Sequence, residues 1–309
     1  MMQKLKYRDD GSFHIMQLTD IHFEEKGKKE NYENLTAMIA ARRPDLIILT
    51  GDTVKGIEKE PIPLFYEATL PLAECGLPWA FIFGNHENER DLVSKQAYLD
   101  ALTKIPGYYE EAAFFHAPDR YDYLIRPQAR DGGVPWELFL FDSGHINRRL
   151  PAAKNTSFIE NEQIKWYRET ASAPNALAFM HIPLPEYFDV WDRAVCNGSR
   201  NEEVGCANVN SGLFYNMVEQ GTMRGVFAGH EHINDFDGEW CGIRLCYGRC
   251  SGEIQYCTQF MKENHFSVGA RMIEIFDDER PWKTYIVDNQ GKEVERPVHQ
   301  PSRHIFYPD

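Results

Sequence analysis

Five short clusters of oxygen- and nitrogen-bearing side chains mark this chain: Asp20-x-His22, Gly51-Asp52, Gly84-Asn85-His86-Glu87, His181 and Gly229-His230-Glu231-His232. Together they offer two aspartate carboxylates, one amide oxygen and several imidazoles. A hard-to-borderline divalent ion such as Mn, Zn or Fe takes such an oxygen and nitrogen set. The glycines allow the backbone to turn sharply where the clusters begin. A lone histidine is usually structural, and His14, His116, His145, His265, His299 and His304 are read that way. Five of the eleven histidines, however, fall inside the clusters, each with a plausible co-ligand. A Gly-Asp or Asp-x-His pair arises freely by chance; five such clusters, each following an apolar run, do not.

The elements that must position these residues are short apolar runs. Phe13 to Leu18 leads into Asp20, Leu46 to Leu49 into Asp52, and Trp79 to Phe83 into Asn85-His86. Leu138 to Phe141 leads into Asp142-Ser143, Ala176 to Met180 into His181, and Val226 to Ala228 into His230. Runs this short, bounded by Gly or Pro, predict buried strands. Helices are expected between them: one with a Leu35, Met38, Ile39 stripe that stops before Pro44, one over Leu92 to Leu102, and one opened by a Ser157/Glu160 capping box. Strand and helix alternate to about residue 230, which predicts an α/β layered fold. Arg244 to Tyr247, Met272 to Phe276 and Thr284 to Val287 read as further strands that complete a second sheet. The whole chain, 1–309, reads as one domain, with 289–309 an extended C-terminal tail. In such sheets ligands bind beyond the carboxyl ends of the strands, which is where the clusters fall.

Composition narrows the function. With 43% hydrophobic and 26% charged residues the chain has the make-up of a globular protein. It holds no apolar run near the roughly 18–20 residues that cross a bilayer, and Met1 to Ser12 has no signal-like apolar stretch, so a cytoplasmic location and no membrane partner are expected. A formal net charge of -14 disfavours an extended nucleic acid partner, whose binding rests on basic side chains. It would also repel a phosphorylated substrate unless cations reversed the sign locally. The seven cysteines read as free buried thiols. Cys241, Cys246, Cys250 and Cys257 lack zinc-site spacing.

The ordered clusters resemble the calcineurin-like metallophosphoesterases, whose signature runs D-x-H, GD, GNH[DE], a later His, then GHxH. The resemblance spans about residues 13 to 250, and every block is present. It implies a four-layer sandwich of two central mixed β-sheets flanked by helices. It also implies that Asp20, His22 and His232 hold one metal, that Asn85, His181 and His230 hold the other, and that Asp52 bridges both. His86 is then the catalytic histidine beside the leaving-group oxygen. One departure is informative: purple acid phosphatases carry a tyrosine three residues after the bridging aspartate, and Lys55 stands there in this chain. The flanking sequence, including Pro44-Asp45, Ser211 to Phe214 and Asn234 to Phe236, is similar to a purple-acid-phosphatase-29-like subgroup.

The resemblance implies two divalent metal ions as cofactors and a small phosphorylated substrate. Two such ions bring about +4, of which the Asp20 and Asp52 carboxylates cancel about half, and the pair can lower the pKa of a bridging water to around 7. The expected reaction is attack of that metal-bridging hydroxide on phosphorus of a phosphomonoester, with Asp52 and His86 as the catalytic groups. A phosphodiesterase acting on cyclic nucleotides or other small diesters is the alternative. Glu87, Asn234 and Asp235 are candidates for orienting the ligand imidazoles, and Arg249 for reaching substrate phosphate. The segment Leu184 to Asn210, with Tyr187, Phe188, Trp191, Arg193 and Arg200, is expected to be an insert covering the site mouth.

Overall fold

The first apolar runs form β1 (Ser12–Leu18), β2 (Leu46–Thr50) and β3 (Trp79–Ile82), joined through α1 (Lys28–Arg42) and then α2 (Pro61–Ala68) and α3 (Leu70–Glu74). A 3-10 turn over Glu89–Asp91 and α4 (Lys95–Leu102) lead to β4 (Ala113–Ala117), β5 (Arg120–Ile125) and β6 (Trp136–Phe141). Then come α5 (Asn161–Thr170), β7 (Asn175–Met180), α6 (Glu186–Arg193), β8 (Cys196–Asn197), α7 (Leu213–Gln220) and β9 (Met223–Ala228). β10 (Asp237–Trp240), β11 (Ile243–Tyr247), α8 (Thr258–Glu263), β12 (Gly269–Phe276), β13 (Lys283–Asp288) and β14 (Val298–His299) complete the order. This computed structural model describes residues 4–24, 28–109, 113–117, 119–146, 150, 156–253 and 257–301.

The strands make two mixed sheets flanked by helices, ordered β13-β12-β1-β2-β3 and β14-β8-β10-β11-β9-β7-β6-β5-β4. β1, β2 and β3 run parallel, as do β6, β7, β9 and β11. Parallel strands covered on both faces read as unbroken apolar runs. Leu46 to Thr50, buried throughout, is such a run. Successive strand residues serve different layers, because side chains alternate across a sheet. Leu138, Leu140, Leu177 and Phe227 pack between the sheets. Phe141, Ala178, Met180 and Val226 pack on the outer face with Ile164 and Tyr167 of α5, Val190 of α6 and Met217 of α7. Two buried polar side chains tie the sheets together. Gln17 donates to Thr50 Oγ1 and to Ala228 O, each at 3.1 Å. Arg271 donates to Asp237 Oδ1 at 3.1 Å and Asp235 O at 2.8 Å. Among the described residues no helix is long and apolar enough to cross a membrane.

Four expectations are corrected here. The last strands do not stay together: β11 joins the larger sheet, while β12 pairs antiparallel with β1, from Ser12↔Phe276 to Gln17↔Arg271, and β13 pairs with β12. Both edges of β1 are thereby occupied. The helix after residue 157 starts three residues later than expected. Ser157 Oγ accepts from Arg120, and Glu160 with Gln163 forms the capping box. The helix expected from Leu92 begins at Lys95, where Ser94 Oγ accepts from the Ala97 N–H. The segment Leu184 to Asn210 is no simple loop. It contains α6, whose Tyr187 is fully buried with its hydroxyl 3.0 Å from both Val226 O and Cys246 O, and β8, which pairs with β10 and β14. The tail folds back as well, His299 stacking on Trp191 with ring centroids 3.7 Å apart. Residues 302–309 lie outside the described residues.

Candidate metal centre

The five clusters meet at the carboxyl ends of β1, β2, β3, β7 and β9. The backbone there is held in an unfavourable form: Asp20, His22, Asp52 and His230 all have positive φ, at 52°, 44°, 52° and 78°. For residues with a Cβ this costs about 1–3 kcal/mol each and is found where a site demands it. The adjoining glycines are equally constrained. A Cβ on Gly84 would collide with Asp52 Oδ1, and one on Gly229 with Thr19 Oγ1.

Each aspartate uses one oxygen to fix another cluster's backbone and turns the other into the centre. Asp20 Oδ2 accepts from the His230 N–H at 3.0 Å and from Thr19 Oγ1 at 2.7 Å. Asp52 Oδ1 accepts from the His86 N–H at 2.8 Å. The remaining oxygens, Asp20 Oδ1 and Asp52 Oδ2, are buried and take no backbone N–H bond among the described residues. Around Asp52 Oδ2 stand the Nε2 atoms of His181 at 3.1 Å, His22 at 3.6 Å and His86 at 3.9 Å. Around Asp20 Oδ1 stand those of His232 at 3.5 Å and His22 at 3.9 Å. The two imidazoles His22 and His232 face each other, Nε2 to Nε2, at 3.1 Å. Asn85 Oδ1 lies 2.9 Å from His181 Nε2. Three overlapping groups have ligand atoms close enough to share an ion: Asp20, His22, His232; His22, Asp52, His86; and Asp52, His181, His230. The structure thus brings Asp20, His22, Asp52, His86, His181, His230 and His232 together, with Asn85 beside His181.

The electrostatics divide the imidazoles. Burial alone would lower His181 and His232, but it is outweighed: the Asp52 charge raises His181 to about 10, and hydrogen bonding to Asp20 and then Cys257 raises His232 to about 10. Burial prevails at His22, held down at about 3, and at His230, at about 4. Asp52 sits well below its ordinary range, the His181 charge overcoming the cost of burial. Buried carboxylates facing crowded imidazole nitrogens fit divalent cations, which would satisfy both sets at once.

The supports differ from those expected. Glu87 orients no imidazole. It is fully buried and accepts from the backbone N–H groups of Gly84 at 2.8 Å, Asp52 at 3.1 Å and Thr53 at 2.6 Å, fastening two clusters together. Asn234 Oδ1 accepts from Asn201 N at 2.7 Å and Glu202 N at 3.0 Å, and Asp235 Oδ1 from Ser199 N at 2.8 Å, holding residues 199–202 against the last cluster. Arg249 is buried and donates to Asp235 Oδ2 and Ser267 O. Lys55 pairs with Glu24. All seven cysteines are free. The backbone carbonyl of Thr50 accepts from His181 Nδ1 at 2.8 Å, which leaves His181 Nε2 as the ligating nitrogen. Sequence reading missed Glu89, whose Oε2 lies 2.7 Å from His86 Nδ1; the i,i+3 spacing across a 3-10 turn was its only signal. It also missed Cys257, 3.8 Å from His232 Nδ1.

Two mixed sheets carrying an aspartate-bridged histidine cluster at their carboxyl edge define a metallophosphoesterase. The chain belongs to the calcineurin-like phosphoesterases, whose family model matches residues 13–234. Among curated proteins it is similar to probable inactive purple acid phosphatase 29 of Arabidopsis thaliana, 30% identical over 296 residues, covering 82% of this chain and 75% of that protein. It is also similar to probable inactive purple acid phosphatase 28 of the same plant, 31% identical over 294 residues, covering 82% and 73%. In fold it resembles a dimetal phosphatase from Danio rerio, with a TM-score of 0.62 at 12% identity, covering 94% of this chain and 99% of that one.

Proposed function

We propose that this chain is a dinuclear metal-dependent phosphomonoesterase. The observation that carries the reading is the pair of buried oxygens, Asp20 Oδ1 and Asp52 Oδ2, which face only converging imidazole Nε2 atoms among the described residues. Asp20, His22 and His232 would hold one divalent ion, Asn85, His181 and His230 the other, and Asp52 would touch both. Two such ions supply positive charge for a phosphoryl group and bring the pKa of a bound water near 7.

The chain's own residues do the rest. Against a net charge of -14, the two cations would supply the positive charge that a small phosphorylated substrate needs, while an extended nucleic acid is disfavoured. His86 stands at the edge of the cluster, 29% exposed, where a leaving group can reach it. A carboxylate only accepts, so Glu89 takes a hydrogen bond from His86 Nδ1–H and turns Nε2 inward. With a second proton on Nε2, taken up from solvent before the substrate binds, His86 would give that proton to the departing alkoxide and return to the Nδ1–H tautomer, which Glu89 holds.

A second reading, a metal-holding protein without turnover, is favoured by the word inactive in the names of both plant relatives. Against it stands the complete ligand set. Reconstitution with Mn, Zn or Fe, followed by metal analysis and assays on an alkyl monoester, a nitrophenyl ester, a diester and a nucleotide panel, separates the two. Two ions per chain with monoester turnover is the expected result. Two ions with no turnover on any ester supports the second reading, and a preference for diesters makes the chain a phosphodiesterase.

A further inference from the structure

An imidazole that binds a metal through one nitrogen turns the other away from it, and the partner of that outer nitrogen decides how firmly the ring is aimed. The rings of this centre differ in that respect. His181 Nδ1 reaches Thr50 O at 2.8 Å, and His86 Nδ1 reaches Glu89 Oε2 at 2.7 Å. His22 Nδ1 is buried and has no hydrogen-bond partner among the described residues. His232 Nδ1 meets a sulfur: Cys257 Sγ stands 3.8 Å from it.

The position of this thiol is fixed by its surroundings. Cys257 is buried, and it packs with Cys250, Met261, Phe266 and Val268 in a small cluster separate from the two main cores. Its carbonyl accepts from Met261 N at 2.9 Å, in the first turn of α8. The other sulfur of the cluster works on the same group of ligands, since Cys250 Sγ donates to Asp20 O at 3.3 Å. Neither cysteine belongs to the three groups whose ligand atoms lie close enough to share an ion, so both stand behind the ligands rather than among them. In front of the His232 ring, Nε2 faces the buried Asp20 Oδ1 at 3.5 Å and His22 Nε2 at 3.1 Å. When Nε2 gives its lone pair to an ion, Nδ1 must carry the ring proton and donate it, and a cysteine sulfur is a weak acceptor.

We propose that Cys257 is the positioning residue for the ion held by Asp20, His22 and His232, its sulfur taking the Nδ1–H of His232 and aiming Nε2 toward Asp20 Oδ1. The inference rests on the dinuclear reading of the centre. Removing the partner of a ligand imidazole commonly costs about 10–100-fold in metal affinity, and for an acceptor as weak as sulfur the loss should lie near the lower figure. His22 offers no second anchor on this side, so the loss falls on one ion. His181, held by a backbone carbonyl, keeps the other.

The test is a manganese titration of metal-free protein, followed by the paramagnetic resonance signal of the free ion. Wild type is expected to bind two ions. Cys257→Val nearly keeps the volume of the side chain and removes the acceptor. One of its two dissociation constants should rise by about tenfold while the other stays within about twofold of wild type. Its melting temperature in chelator should stay within about 6 °C of wild type, as expected of a swap that conserves volume. A second measurement uses wild type alone: in zinc-loaded protein the His232 Nδ1–H resonance should show a nuclear Overhauser contact to the β protons of Cys257. Two unchanged dissociation constants in Cys257→Val, or a Nδ1–H signal without that contact, overturns the inference and leaves Cys257 as packing. If the variant does not fold, the contact in wild type decides. Fewer than two ions in wild type sinks the dinuclear reading itself, whereas two ions there and no change in the variant removes only the thiol support.

Discussion

Asp52→Asn tests the centre most directly, because the two oxygens of Asp52 have separate jobs. The asparagine oxygen would keep the His86 N–H bond made by Oδ1. Its amide NH2 then replaces Oδ2 and points a donor at the Nε2 atoms of His181, His22 and His86. In metal-free protein the main loss is the buried pair with His181. Burial would lower His181, and Asp52, ahead of Asp20 and the Thr50 carbonyl, raises it to about 10. Breaking one partner of a buried pair commonly costs about 3–5 kcal/mol. At roughly 2–4 °C per kcal/mol for a chain of this size, Tm should fall by about 6–20 °C. The pH dependence follows from the sign of the shift. His181 is raised, so its contribution is complete below the unfolded value of 6.5 and is lost as pH rises through about 10. The Tm gap between wild type and Asp52→Asn, measured in chelator, should be widest near pH 6 and close toward pH 10. Loaded protein should lose at least one ion and nearly all turnover, since even partners behind a ligand cost about 10–100-fold in metal affinity. Two ions retained with normal turnover would refute the bridging role. A Tm gap that stays constant to pH 10 would refute the ion-pair reasoning.

Three further outcomes are expected. Glu87→Ala strips the acceptor from the buried N–H groups of Asp52, Thr53 and Gly84, each worth about 1–3 kcal/mol. The variant should melt far below wild type, and an unchanged melting curve would rule out the clamp. His86→Ala should keep both metals and lose about 10²–10⁴ in rate on an alkyl phosphate but much less on a nitrophenyl ester, whose phenolate departs unprotonated. Equal losses would assign His86 to the phosphoryl group rather than the leaving oxygen. Because Lys55 pairs with Glu24 where a purple site has tyrosine, iron-loaded protein should show no intense visible band. A band abolished by mutating a nearby tyrosine would contradict this.

Much of the site was legible in the chain before folding, for a physical reason. A metal centre at strand ends needs its ligands next to apolar runs and its turns next to glycine, and both constraints are local. Hence Asp20, His22, Asp52, Asn85, His86, His181, His230 and His232 could all be found by reading along the sequence. The strands β1, β2, β3, β6, β7 and β9 were equally visible, because burial on both faces leaves no ambiguity of pattern. Pairing was another matter. Nothing local distinguishes a β12 that pairs with β1 from one that extends the other sheet, and only long-range packing around Arg271 decides it. The same holds for Tyr187 and Trp191, aromatic residues that look like a binding surface in sequence and are packing in three dimensions. Roles behind the ligands were also hidden. Glu87 was visible as a site residue, yet that it grips three backbone N–H groups rather than an imidazole depends on where two loops meet. His145 lies far in sequence from every cluster and resembled an ordinary structural histidine. Only the folded chain brings it to the wall of a cavity shared with Asn88, Lys95 and Arg120, because a cavity is made by the surfaces of separate elements and no one segment encodes it.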